Sequence, residues 1–389
     1  MKHFFNENKK KPWFWAFFTL LAVTLFAMPI MSKDAGNSGD EDAFQIPQGR
    51  NIVNYFKTGG EDSTCMTFEN LKYYGSSPDV IAEYWNRAFK VEDISKTRHV
   101  FNALYGWIAL LFAGLIAYLI GGWRAGVLTI LLLFFSPRFL GHSFNNSKDI
   151  PFAAAVIAAI YFIVLFFKQF PKVKISTLIF LTLFIALSIS IRVGGALLYA
   201  YFGLFGLVYL IAEYWQNRKK SWGSLFLRML LYGSIVVIVS YFLGLLLWPY
   251  ALQSPIKNVY TSFQEMSAFA VGIRQLFEGS IQWSDMLPWY YTPKLIFLTI
   301  PIAVIIGLLC FFILLWKDRK NYFNYFIIFF AFFFPVFWIV YTGANVYGGW
   351  RHSLFAYPPM VVAAGLGFNL AIEWVSQKVA KKNDNPEKL

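Results

Sequence analysis

Apolar residues along this chain do not alternate with polar ones, nor do they recur as one helical stripe. They come in long runs broken by short polar intervals. Runs of about 17–25 residues are what a helix needs to cross a bilayer core of about 30 Å. Such runs lie at 13–32, 100–120, 125–136, 151–167, 175–191, 195–214, 226–248, 295–316, 323–341 and 354–377. The third is short and continues toward Phe139. The first follows a basic start, "MKHFFNENKKK", and could be mistaken for a signal peptide. It is long and bulky, and no A-x-A-like cleavage site follows, so it is read as an uncleaved helix. The pattern predicts an all-α polytopic membrane protein with about ten transmembrane helices, forming one transmembrane domain over 1–389 with no room for a large soluble domain. Two long intervals, 33–99 and 248–294, mix aromatic and charged residues as interfacial amphipathic helices do. A polar turn over 137–150 and a polar tail over 378–389 complete the plan.

Composition agrees: 58% of residues are hydrophobic and 14% charged. The charge balance is +13. With the N-terminus in the cytoplasm, the N-tail, Arg124, the intervals 168–174, 218–228 and 317–320, and the C-tail carry that whole excess on one face. This is the positive-inside pattern, with both termini cytoplasmic. Topology and attraction to anionic lipid account for the basic balance, and no nucleic-acid partner is implied. Cys65 and Cys310 have neither a disulfide framework nor metal-ligand spacing.

Five segments gather chemistry, and all fall on the non-cytoplasmic side. Just after the first run, "NSGDEDAFQ" places Asp40, Glu41 and Asp42 in a row. A carboxylate at a bilayer edge can take a proton from a substrate hydroxyl; a solvated acidic loop is the plain alternative. In "SPRFLGHSFNNSKDIPFAAAV", Arg138, His142 and Lys148 are donors to an anion, Asn145 and Asn146 offer both donors and acceptors, and Asp149 opens the next helix. The plain alternative is an interfacial turn with snorkelling cations and a capping Asp. Arg192 stands alone in "SISIRVGGALL", suited to fork onto a phosphate or to snorkel at a tight turn. Arg351 and His352 begin the last run in "VYGGWRHSLFAYPP". Tyr290 and Tyr291 in "DMLPWYYTPK" could stack on a sugar or polyprenyl chain, or serve in an aromatic belt. There is no P-loop, Rossmann fingerprint, G-x-S-x-G or H-x-x-x-H pattern, and a protein-only metal site has little support.

Carboxylates and cations at one membrane edge suit a single chemistry: a lipid phosphate leaves, cations stabilise its charge, and a carboxylate takes the acceptor's proton. The order of segments resembles the GT-C glycosyltransferases, specifically the protein O-mannosyltransferase-like and aminoarabinose-transferase-like group of bacteria. The likeness lies in Asp40-Glu41 followed by Phe44, in "GHSFNNSKDIPFA", and more weakly in "SIRVGG", "LPWYYTPK" and "GGWRHSLFAYPP". The resemblance implies an enzyme of the bacterial inner membrane that moves a sugar from a polyprenyl-phosphate donor to an acceptor hydroxyl on the outer face. No cofactor is required by the sequence, and a divalent metal is unsupported. The acceptor, whether protein, lipid or glycan, is open. Carried over, Asp40 is the general base, Glu41 orients the acceptor or supports Asp40, and Asp149 positions donor or acceptor. Arg138, His142, Lys148, Arg192 and Arg351 bind the donor phosphate. Asn145, Asn146, Tyr290, Tyr291 and His352 contact substrate. Departures from the group are the span count, the lack of a C-terminal extramembrane domain, and Asp42. Two other readings stand beside this one: a transporter or flippase of a lipid-linked anion, and a degenerate, non-catalytic member.

Overall fold

The computed structural model describes residues 11–215, 222–267 and 271–384, with side chains through 380. Helix α1, Pro12–Ser32, is followed by a π-turn, Glu41–Gln45, and by α2, Ile46–Lys57, and α3, Ser77–Phe89. These last two are the amphipathic helices expected in the 33–99 interval. Helix α4, Ile94–Phe134, is a hairpin of two arms. Gly122 takes φ 81° and turns the chain back. A Cβ on Gly126 would lie 3.0 Å from the Gly114 carbonyl oxygen, so the arms touch backbone to backbone. Tyr118 stacks on Trp123 across the turn with ring centroids 3.8 Å apart. Phe14 and Phe17 of α1 pack against the same indole.

Short α5, Pro137–Asn145, leads to α6, Asp149–Gln169, and α7, Ile175–Ile191. Helix α6 is the centre of the bundle and is almost wholly enclosed. Its run of alanines, Ala153 to Ala155 and Ala158 to Ala159, lets α4 and α7 approach closely, as small residues do between membrane helices. A 3-10 turn, Val193–Ala196, follows, then α8, Leu197–Trp215, α9, Trp222–Leu245, α10, Pro249–Gln253, and α11, Lys257–Ser267.

The rest of the second long interval is not helical. Strands β1, Arg274–Phe277, and β2, Ser280–Trp283, pair antiparallel around Glu278 and Gly279, whose φ values are 51° and 78°. Two left-handed residues make the two-residue turn that suits strand twist. The interval is helical over α10 and α11, as expected of it, and not here, where "RQLF" and "SIQW" are strands.

Helices α12, Tyr291–Thr299, and α13, Ile302–Leu314, were expected as one span. They are bent by 108°. Pro301 supplies no N–H and drives Ile300 to ψ 150°, outside the helical region. Helix α14, Tyr322–Thr342, carries two aromatic ladders at four-residue spacing. Helix α15, Tyr357–Asp384, closes the bundle against α4 and α13. A Cβ on Gly307 would lie 2.7 Å from the Ala364 carbonyl, so α13 and α15 meet at their backbones.

Among the described residues, seven helices are long and apolar enough to cross a membrane, or eight with the bent pair. About ten were expected. The difference lies in α4, where two expected runs form one folded-back element, and in α7, whose 17 residues sit at the short limit of a crossing. The chain is an integral membrane protein.

Candidate active site

The functional segments meet at one end of the bundle. They come from the end of α1, the start of α6, the end of α7 and the turn before α15. Asp40 sits at the head of the π-turn, a helix form common at functional positions. The Arg351 Nη1 donates to Asp40 Oδ2 at 2.8 Å. Glu41, its neighbour, faces the other way. Its carboxylate is buried, 3.7 Å from Arg98 Nε and 3.0 Å from His99 Nε2.

Arg98 also donates to Asp79, and the Ser147 hydroxyl, with one proton to give, lies 2.6 Å from Gln45 Oε1 and 3.1 Å from Asp79 Oδ1. One buried guanidinium thereby ties the π-turn, α3 and the segment entering α6. Burial pushes the Asp79 carboxyl up, with Arg98 pulling it back. The Glu41 carboxylate thus meets Arg98 and His99, whereas that of Asp40 meets Arg351.

Asp149 opens α6 and is locked by reciprocal bonds. Its N–H donates to Asn146 Oδ1, and the Asn146 amide donates to Asp149 Oδ2, each at 2.9 Å. Its other oxygen pairs with Arg192. Lys148 lies over the Tyr74 ring at 4.3 Å, and Arg192 flanks the same ring at 6.0 Å. Burial, reinforced by Arg192, pushes the Lys148 ammonium down from its ordinary value. Both Asp40 and Asp149 are close enough to act on Lys148 and on the Tyr74 phenol.

The turn before α15 supplies the opposite wall. Gly348 and Gly349 take φ 66° and 73°. That corner is pinned from three sides. Gly348 N–H donates to Gln275 Oε1 at 2.8 Å, Gly349 N–H to Tyr291 Oη at 3.1 Å, and Arg138 Nη2 donates to the Gly348 carbonyl at 2.8 Å. Arg351 then lies over Tyr347 at 4.8 Å, and His352 meets the same ring edge-on at 4.6 Å.

Around Tyr74 and Tyr347, therefore, Lys148, Arg192 and Arg351 face Asp40 and Asp149. Three cations against two carboxylates leave positive charge in excess at that end of the bundle.

The remaining expected residues are placed differently. Arg138 is spent on the Gly348 carbonyl and on the face of Trp350, 5.2 Å away. His142 faces Asn146, and burial beside Arg138 pushes its pKa down to about 4. It is neutral at ordinary pH and brings no charge for a phosphate. Asn145 donates to the Gly36 carbonyl at 2.9 Å, fastening the acidic loop to the polar turn. The Tyr290 hydroxyl reaches Glu278 at 3.4 Å, and Tyr291 is buried under the Gly349 corner.

Sequence reading missed Tyr74, Asp79, Arg98 and His99. All lie in the 33–99 interval, where charge mixed with aromatics reads as interfacial amphipathic helix. Among the described residues no three His, Cys, Asp or Glu side chains converge as a metal would need.

No protein-family model and no curated protein sequence matches the chain. Solved structures do. ArnT from Cupriavidus metallidurans bound to undecaprenyl phosphate superimposes with TM-score 0.60 at 15% identity, over 95% of this chain and 62% of that one. Its apo state gives TM-score 0.58 at 14% identity, over 93% and 62%. The archaeal oligosaccharyltransferase AglB from Archaeoglobus fulgidus, in complex with an inhibitory peptide and a dolichol-phosphate, gives TM-score 0.62 at 12% identity, over 98% and 53%. The chain thus spans between half and two thirds of the length of the structures it matches, and at these identities the likeness is one of fold.

Proposed function

We propose that this chain, whose fold is that of the GT-C membrane glycosyltransferases, moves a sugar from a polyprenyl-phosphate donor to an acceptor hydroxyl. The reaction takes place at the non-cytoplasmic face of a cell membrane, the bacterial inner membrane being the setting the sequence suggests. The observation that carries this reading is the charge excess of Lys148, Arg192 and Arg351 over Asp40 and Asp149 around two aromatic rings. A donor phosphodiester brings one negative charge and leaves as a phosphate monoester with more. The surplus cations match that gain and so favour the transition state over the ground state.

Asp40 takes the proton of the acceptor hydroxyl. The acceptor oxygen bonds to the anomeric carbon as the bond from that carbon to the phosphate oxygen breaks. Arg351 holds Asp40 before donor arrives. A phosphate entering beside Arg351 competes for the guanidinium and frees the carboxylate, coupling donor binding to base activity. Asp149 keeps Arg192 in place, and an anion beside Lys148 acts with Asp149 and Asp40 to favour its charged form against burial and Arg192.

The test is transfer of a polyprenyl-phosphate-linked sugar in membranes of cells lacking the protein, complemented with wild type or with Asp40→Asn, and read by mass spectrometry of glycosylated material. Loss of general-base catalysis lowers the rate about 10²–10⁴-fold. Wild-type transfer by Asp40→Asn removes Asp40 as the base. Accumulation of unaltered substrate across the membrane with no glycosylated product would make the chain a transporter.

A further inference from the structure

We propose that the β1–β2 hairpin is seated in the headgroup layer of the leaflet on the site's side, with phospholipid covering its outer face. Strand register puts Arg274 opposite Trp283 and Leu276 opposite Ile281, so these four share one face. Leu276 is 77% exposed, Ile281 73% and Trp283 46%. A two-stranded ribbon in water has no reason to present this face.

The other face packs on the protein through Phe277 and Gln275. Phe277 is buried against Tyr291 with ring centroids 5.0 Å apart, and Gln275 takes the Gly348 N–H. Glu278 in the turn pairs with Lys294 of α12. Hairpin and α12 are thus one unit, and the exposed apolar surface runs on through Met286 and Trp289 to Phe297 and Leu298 of α12. That helix belongs to the bent pair, where the membrane-spanning surface begins. Continuity with the lipid-facing surface identifies the occupant as lipid.

Depth follows from the backbone. The hairpin stands as a two-stranded sheet, so the N–H and C=O groups along its outer edges have no partner strand, a state hydrocarbon does not tolerate. Headgroups satisfy them while the side chains reach about 5–10 Å toward the acyl boundary. Arg274 over the Trp283 ring, at 5.2 Å, is the arrangement of a cation at phosphate level above an interfacial aromatic. Because the inner face holds Gly348, the lipid contact and the corner carrying Arg351 are mechanically one piece.

The full chain is to be reconstituted in vesicles of phosphatidylglycerol and phosphatidylethanolamine containing a phospholipid with a photoactivatable acyl chain. Lipid adducts are expected on Leu276, Ile281 or Trp283 and not on inward-facing Phe277. In parallel, Ile281→Cys carrying an environment-sensitive fluorophore loses emission when brominated lipid is included. Labelling of that face by a water-soluble carbene with no lipid adduct overturns the proposal. A photoreactive amino acid placed at position 281 that joins two copies of the chain overturns it as well, assigning the face to self-association. Neither arm depends on sugar transfer.

Discussion

Arg98 shows how a side chain outside the charged cluster governs it. Its guanidinium is the cation shared by buried Glu41 and Asp79, and Glu41 is covalently next to Asp40. Arg98→Ala leaves two carboxylates buried without it, a change that costs about 3–5 kcal/mol when one partner of a buried pair is removed. The predicted result is a lowered midpoint of thermal unfolding in detergent, with Arg98→Lys in between. His142 makes a pH prediction. Its folded pKa of about 4 lies below the ordinary 6.5, so the unfolded chain binds the proton more readily between those values. Stability falls as pH drops from about 6.5 toward 4, and His142→Gln flattens that decline in pH-dependent unfolding scans. At this scale Asp40 and Asp149 were legible in the sequence, because ionisable groups at a membrane edge are conspicuous. The direction of Glu41 was not, since three adjacent carboxylates do not announce a π-turn that gives neighbours different partners. Asp79 and His99 were hidden for the same kind of reason: their partners are distant in the chain.

Among the elements, the corner at Gly348 and Gly349 is the most sensitive. With φ 73°, Gly349 occupies a region where an L side chain adds about 1–2 kcal/mol of strain. Its Cβ would also press on the Arg138 guanidinium. Gly349→Ala should therefore displace Arg138 and loosen Arg351, lowering both thermal stability and donor affinity, the latter measured by equilibrium binding of a polyprenyl phosphate. Gly307→Val, at the backbone contact of α13 with α15, is expected to lower stability through overpacking of about 1–3 kcal/mol, with donor affinity unchanged in the folded fraction. Helix positions followed from apolar run length, and α7 begins and ends where the run does, at Ile175–Ile191. The hairpin escaped because period-two order over four residues per strand is too short to stand out among aromatics. The bend at Pro301 was written in the sequence, yet an apolar run continues through it and the run dominated the reading.

For the molecule as a whole, the decisive feature is convergence. Segments up to 311 positions apart, Asp40 and Arg351, meet in one ion pair. Local pattern could place each of them at a membrane edge and could assign them to one face through the charge asymmetry of the loops. It could not show which cations touch which carboxylates, because tertiary packing of α6 against α4 and α7 decides that. The resemblance to the GT-C group anticipated the fold that ArnT and AglB share with this chain at 15% and 12% identity. The central claim is that this convergence seats a lipid-borne phosphate. It is tested most directly by native mass spectrometry of the purified chain in nanodiscs with undecaprenyl phosphate. The account predicts one bound lipid on wild type and on Asp40→Asn, and its loss on Arg192→Ala and Arg351→Ala. Equal binding by all four proteins, or binding by none, would contradict it.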